Sequence, residues 1–152
     1  MTPPIAPIDE LDDILALLRA CDLPVADIAP GPAQQFFGLR DGLGLIGVVG
    51  LETMGAVGLL RSVAVAPAYR SQGLAAQLVA FGEARARAQG AEQLFLLTTS
   101  AADYFIRLGY RPMEKSKAPP AVQATAQFAG LCPASSVLLC KALGRPAADS
   151  SK

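Results

Sequence analysis

An α+β fold, built on a mixed and mostly antiparallel sheet flanked by helices, is predicted by three features of the chain. The elements run helix, three consecutive strands, helix, strand, helix, strand. Hairpin-joined strands followed by strand–helix–strand units give a mixed sheet. The composition is 52% hydrophobic and 17% charged over 152 residues, against about 25% charged for ordinary soluble chains. Such a chain buries a sizeable core and is not disordered. Neither a linker nor an internal repeat divides it, so one domain over residues 1–143 is expected, with a small, polar, frayed tail over 144–152.

Each element has a local cause. Asp9 is placed to cap a helix through Leu11, Ile14, Leu15 and Leu18, an i, i+3, i+4, i+7 stripe. Asp9, Glu10, Asp12 and Asp13 crowd its first turn, where the macrodipole favours acids. Pro24 lies beyond its end, and Pro30, Gly31 and Pro32 mark a loop. Gln35 to Arg40 reads as a strand, Asp41-Gly42 as a turn and Leu43 to Leu51 as the returning strand. Val57 to Ala66 is a third strand, stopped by Pro67. A helix follows from Gly73 to Gln89, with Leu74, Leu78 and Phe81 on its apolar face and Glu83, Arg85, Arg87 and Gln89 on its wet end. Gly90 suits its C-terminal cap. Gln93 to Thr98 is a buried strand, Ala101 to Leu108 a short helix closed by Gly109, and Pro112 to Pro120 a loop. Val122 to Leu131 reads as a last helix and Ser136 to Leu143 as a last strand.

Several function classes are excluded within this chain. It contains no histidine, so no Ser-His-Asp triad, Cys-His pair or His-ligated zinc arises from it. Thirteen basic and thirteen acidic residues cancel, leaving no global field to attract nucleic acid or an anionic membrane. Cys21, Cys132 and Cys140 are widely spaced and form no CxxC pair; three reduced thiols and no metal are expected. The opening MTPPIAPIDE lacks the basic and apolar regions of a secretory signal, and the expected location is cytoplasmic. Residues 42–60 carry one charge, Glu52, and would attract a hydropathy window. Six glycines and that mid-span carboxylate disfavour a membrane helix. Two buried strands joined near Glu52–Gly55 explain the same residues.

Chemistry concentrates in Val63-Ala-Val-Ala-Pro-Ala-Tyr-Arg-Ser-Gln-Gly-Leu-Ala75. A buried strand ends at a proline, a basic turn follows, and a helix begins at a glycine. Unpaired N–H groups of that helix start, the cation of Arg70 and the hydroxyl of Ser71 suit a phosphate or pyrophosphate. The GxxxxGK[ST] spacing of a Walker loop is absent, and so are two glycines of the dinucleotide fingerprint. An ordinary strand–turn–helix corner, with Gly73 serving close packing, is the structural alternative.

Arg70 to Ala75 resembles the [QR]-x-x-G-x-[GA] signature of the GNAT superfamily of acyl-CoA-dependent N-acetyltransferases. The preceding Val63-Ala-Val-Ala-Pro strengthens the likeness. So does a second block, the strand Leu94 to Thr98 followed by Ala101 to Tyr110 with its Leu-Gly-aromatic ending. The resemblance implies the GNAT fold, with the sheet splayed at the acyl-CoA site. It implies acetyl-CoA as cosubstrate, held by backbone groups near Val63 and Val65 and by the turn of Arg70, Ser71, Gln72, Gly73, Leu74 and Ala75. Residues 121–136, Leu138 to Lys141, Gly50-Leu-Glu52 and Leu59-Leu-Arg-Ser62 are similar to the arsenic-resistance-associated group, near the small amino-acid N-acetyltransferases. That likeness implies a small amine substrate of the glutamate, phosphinothricin or arsinothricin type, an arsenic-resistance role and a homodimer. A peptide or protein N-acetyltransferase and a non-catalytic acyl-CoA-binding module are the alternatives.

Individual roles follow by residue type. Many relatives carry a glutamate on the strand before the signature, where this chain reads Leu59, Leu60, Arg61 and Ser62. Glu52 is therefore the candidate general base, with a hairpin tip or an ion pair to Arg61 as its structural alternative. Strand alternation puts Arg61, Val63 and Val65 on one face and Leu60, Ser62 and Ala64 on the other. The Arg61 fork matches a substrate carboxylate, phosphinate or arsinate; pairing to Glu52 would also satisfy it. Thr98 and Thr99 are candidate substrate contacts, or caps of the next helix. Phe105 stands where many relatives supply a tyrosine acid, with Tyr104 adjacent. A thiolate leaving group, with an ordinary pKa near ~8.5, does not require that acid.

Overall fold

Strand β4 (Val57–Val65) is the element on which the sheet is organised. The computed structural model describes residues 4–23, 25–42, 44–125, 128 and 135–144. The other elements are β1 (Ala6–Pro7), α1 (Leu11–Ala20), β2 (Gln35–Asp41), β3 (Gly44–Met54), α2 (Leu74–Ala88), β5 (Gln93–Thr98), α3 (Ala102–Arg107), β6 (Arg111–Met113), α4 (Pro120–Gln123) and β7 (Val137–Ala142). Short 3-10 turns occupy Pro67–Tyr69 and Lys115–Lys117. The chain divides into two compact units, Met1–Glu52 with Leu60–Gly82, and Thr53–Leu59 with Glu83–Lys152.

In the first unit the strand order is β1-β2-β3-β4. β2 pairs antiparallel with β3, with a bulge between Leu39 and Arg40. The tight turn at Gly55-Ala56 joins β3 to β4, so the greasy 42–60 stretch is a hairpin, and no described helix is long and apolar enough to cross a membrane. The core gathers Ile8, Ile14, Leu17, Leu18, Ile28, Phe36, Val48 and Ala64. Helix α1 starts one residue later than its acids suggested. Glu10 occupies the N-cap without a side-chain bond, so Asp9 does not cap it. Its buried stripe is Ile14, Leu17 and Leu18. Leu11 is exposed, because the core lies over the i, i+3, i+4 face that starts at Ile14. β1 is a two-residue edge strand in a proline-rich segment that carries no alternation signal.

In the second unit the order is β4-β5-β7-β6. β4 runs parallel to β5 over Val57–Leu59 against Gln93–Phe95, and that ladder ends there although both strands continue. β5 and β6 each pair antiparallel with β7. Leu59, Phe95, Ala118, Val122, Leu138 and Cys140 form the core. The segment read as a loop at 112–120 begins within β6, whose Pro112 is tolerated on an edge. Where the last helix was expected, α4 is a single turn, Pro120–Gln123, starting two residues before Val122. Half of its expected length, together with Cys132 and the tail beyond Gly144, lies outside the described residues.

Glu83 is not on a wet face. The hydroxyl of Tyr110 donates to its Oε2 at 2.8 Å, and the Lys141 ammonium donates to both its oxygens at 3.1 Å and to the Leu108 carbonyl at 2.9 Å. Tyr110 is wholly buried, so its phenol has to find an acceptor inside, and Glu83 is the carboxylate that α2 brings to it. Burial first, and the neighbouring Glu83 charge second, push the Tyr110 phenol well above its ordinary 10.0. A raised native pKa means stability that is complete below the unfolded value and lost as pH rises past it. Melting temperature is therefore expected to fall above about pH 10. Tyr110→Phe is expected to cost about 1.5–3 kcal/mol at neutral pH and to flatten that alkaline limb. An unchanged limb in the variant would place its origin elsewhere.

Candidate functional site

The turn after β4 forms a row of free donors. Pro67–Tyr69 makes one 3-10 turn, Arg70 is extended, and Ser71 and Gly73 take left-handed backbone at φ 67° and 81°. Among the described residues no acceptor is found for the N–H groups of residues 71–76; the first bond of α2 is donated by Gln77 to the Gly73 carbonyl at 3.2 Å. Gly73 has open space where a Cβ would stand, so its glycine answers the backbone conformation rather than close packing. Exposed donors at a helix start fit an anion. The turn is anchored at one end by Tyr69, whose hydroxyl donates to Asp41 Oδ2; that bond is the main reason the phenol sits above its ordinary value. At the other, the Arg70 side chain folds back: Nε donates to the Val65 carbonyl at 3.1 Å and Nη2 contacts the Cys21 sulfur at 3.3 Å. The Val65 carbonyl thus already has a partner, and Arg70 holds the turn's shape as well as supplying charge.

A buried ion cluster lies two residues earlier on β4. The Arg61 side chain has no exposed surface. Its Nη1 and Nη2 donate to the two oxygens of Asp27, the second at 2.6 Å. Nη1 also donates to Glu52 Oε2 at 2.8 Å, and Nε to Ser62 Oγ at 3.2 Å. Burial disfavours the guanidinium charge, but the hydrogen bonds and charges of Asp27 and Glu52 outweigh it, so its pKa is raised above its ordinary value. The guanidinium therefore stays charged as pH rises through the neutral and mildly alkaline range. Four of the five N–H groups of the fork are taken by protein. A substrate anion on Arg61 would have to displace Asp27.

Local sequence explains the assembly. Gly50 faces Arg61 across the hairpin: a Cβ there would stand 2.8 Å from Phe36 Cε2 and 3.0 Å from Arg61 Cγ. Only glycine leaves room for the arginine stem. Ser62 is left-handed at φ 56°, which breaks strict alternation and brings its hydroxyl to the Arg61 side it was expected to face away from. Asp27 is held over Arg61 by its loop. Ile28 sinks into the core, and Gln34 staples the segment by donating to the Asp27 carbonyl at 3.0 Å and accepting from the Ala29 N–H at 2.7 Å. Asp27 and Gln34 carry no motif and were invisible in the sequence. Their only signal was the rule that a buried arginine needs carboxylates.

The second unit holds the other candidates. Thr98 ends β5, and its Oγ1 accepts the Ala101 N–H at 3.0 Å, a turn-forming role ahead of α3. Thr99 is exposed. Phe105 is buried and stacks edge-on with Tyr104 and Tyr110. The ring fills a core position, and the Arg107 guanidinium lies 6.0 Å over Tyr104.

Residues 32–112, just over half the chain, match the acetyltransferase (GNAT) domain family. The chain belongs to the GNAT family. The chain is also 45% identical over 64 residues to an amino-acid acetyltransferase from Ectopseudomonas mendocina (strain ymp), a match covering 42% of this chain and 15% of that relative. Its fold superposes on N-acetylglutamate synthase from Neisseria gonorrhoeae, solved with coenzyme A and N-acetyl-glutamate, with TM-score 0.75 and 20% identity over 95% of this chain and 36% of that one. Rv2747 from Mycobacterium tuberculosis, solved with CoA and NLQ, gives TM-score 0.67 and 17% identity over 92% and 99% of the two chains. This GNAT domain thus spans about a third of the synthase and a smaller share of the curated relative. Gly50→Ala is expected to lower stability by about 1–3 kcal/mol through overpacking against Phe36 and Arg61, read as a fall in melting temperature. An unaltered melting temperature would mean that Arg61 is not packed against β3 as described.

Proposed function

We propose that the chain is an acetyl-CoA-dependent N-acetyltransferase that acts on the amine of a small, acidic, amino-acid-like substrate. The free N–H row at 71–76 is the observation that carries the cosubstrate. It is the donor set a pyrophosphate needs, with Gly73 open to close approach and Arg70 beside it. Gln72, Gly73, Leu74 and Ala75 would hold the pyrophosphate by their amides, Ser71 would add a hydroxyl, and backbone near Val63 and Val65 would align the acyl arm. Acetyl-CoA supplies the activated acetyl group and a thiolate leaving group.

The chain's own part is to bring in the amine and remove its proton. Glu52 is the proposed general base. Its Oε2 is fixed by Arg61 and, at 3.5 Å, by the Gln34 amide, while Oε1 accepts no hydrogen bond among the described residues. A base held on one oxygen and open on the other is oriented for proton removal. No acid is proposed for the leaving thiolate, because Phe105 cannot donate and Tyr104 is one residue out of phase. Thr98 and Thr99 remain proposed substrate contacts.

Glutamate, phosphinothricin and arsinothricin are the proposed acceptor types, with an arsenic-resistance role, a cytoplasmic setting and a homodimeric state as parts of the same reading. Likeness to amino-acid acetyltransferases supports the acceptor class. The Arg61 fork, with four of its five N–H groups taken by Asp27, Glu52 and Ser62, is held for this cluster rather than for the acceptor's acidic group.

Two measurements check this. Saturating acetyl-CoA should raise the melting temperature, and the gain should shrink in Gly73→Ala, which strains a left-handed turn; no gain in the wild type would remove the anion-site assignment. In a CoA-release assay with glutamate, phosphinothricin, arsinothricin and a peptide amine, the small amines should respond, and Glu52→Gln should lose roughly 10²–10⁴-fold in kcat. Turnover with peptides alone would favour the peptide-acetyltransferase alternative.

A further inference from the structure

The charges around Arg61 do not balance, and their layout is directional. Asp27 and Glu52 contribute two negative charges against one guanidinium. The guanidinium is sealed, with no exposed side-chain surface, whereas the Asp27 and Glu52 side chains keep 14% and 16% of theirs. A ligand arriving at the cluster therefore meets carboxylate, with the cation behind it. Such a surface repels an anion and attracts a cation. Gln34 and Ser62, the other polar side chains bonded to the cluster, are neutral. Arg61 stands two residues before Val63 on the same strand.

We propose that Asp27 is a positioning residue for the acceptor amine: by occupying the Arg61 fork it leaves the Asp27–Arg61–Glu52 cluster with one net negative charge, offered through the open Oε1 of Glu52 to the acceptor's ammonium. The inference rests on the acetyltransferase reading and deepens it. The acceptor is recognised here by its amine end, and its acidic group is bound elsewhere. Without Asp27, Arg61 and Glu52 form a neutral pair and the attraction is lost. Ammonium capture and proton removal thus use one carboxylate, but only Asp27 makes that carboxylate's charge count.

Charge-changing variants test this. KM for the amine is measured at saturating acetyl-CoA, and KM for acetyl-CoA at saturating amine, in the wild type, Asp27→Asn, Asp27→Glu and the double variant Asp27→Asn/Arg61→Gln. Asp27→Asn keeps the shape and removes the charge; it should raise the amine KM about ten-fold or more and leave the acetyl-CoA KM unchanged. Asp27→Glu should recover most of the loss. The double variant removes the buried cation too, restores one net negative charge on Glu52, and should recover amine KM relative to Asp27→Asn. If Asp27→Asn fails to fold because Arg61 is left half-paired, the double variant, which buries no unmatched cation, decides: a wild-type-like amine KM supports the proposal. An equal rise in both KM values, or a double variant with an amine KM ten-fold or more above wild type, overturns it while leaving the acetyltransferase reading intact. A wild type that acetylates no amine in the panel overturns both.

Discussion

A guanidinium with no exposed surface is a strong constraint on a small domain. Arg61 is fixed on β4, in the middle of the most apolar stretch of the chain, and burying it unpaired would be prohibitive. Its neighbours follow from that demand. Glu52 is supplied by the facing strand of the hairpin, Asp27 by a loop pinned through Ile28, and Ser62 by a left-handed residue on β4 itself. Gly50 and Gln34 make the space and hold the loop. Replacing such a pair with apolar residues often stabilises a protein. Retaining it here makes sense if its charge is used.

The second constraint is complementary. The turn after β4 leaves a run of N–H groups without acceptors among the described residues, and such groups are stable only where water or an anion can reach them. Strand β4 thus links a donor-rich, anion-seeking turn to an acid-faced cluster within a few residues. The first suits a pyrophosphate and the second suits an ammonium. An enzyme joining an acyl-CoA to an amine needs both, and no histidine or metal is needed to build either.

Much of this was legible in the sequence, because its causes are local. Gly73 at a helix start, Pro67 ending a strand and the polar turn between them are neighbours in the chain, so their geometry could be read from residue order. The 42–60 hairpin could be read from its glycines and its single acid. Glu52 and Arg61 stood out as the charges of an apolar stretch, and their pairing was one of two readings open for each. Asp27 could not be found this way. It lies 34 residues from Arg61, in a loop with no periodicity, and tertiary packing alone brings it over β4. Strand alternation misplaced Ser62 because one left-handed residue shifts the register of faces. Glu83 was misread as solvated for a similar reason: its partners, Tyr110 and Lys141, come from distant segments.

These two sites yield one account. In the proposed account acyl-CoA is gripped by backbone, and the acceptor is gripped by its amine against a carboxylate pair whose cation is sealed behind it. A crystal structure with coenzyme A and an N-acetylated acidic amino acid bound tests it most directly. The account predicts pyrophosphate oxygens on the N–H groups of residues 71–76, the acetamide nitrogen beside Glu52, and Arg61 still paired to Asp27. An acceptor carboxylate seated on Arg61, with Asp27 displaced, would contradict it.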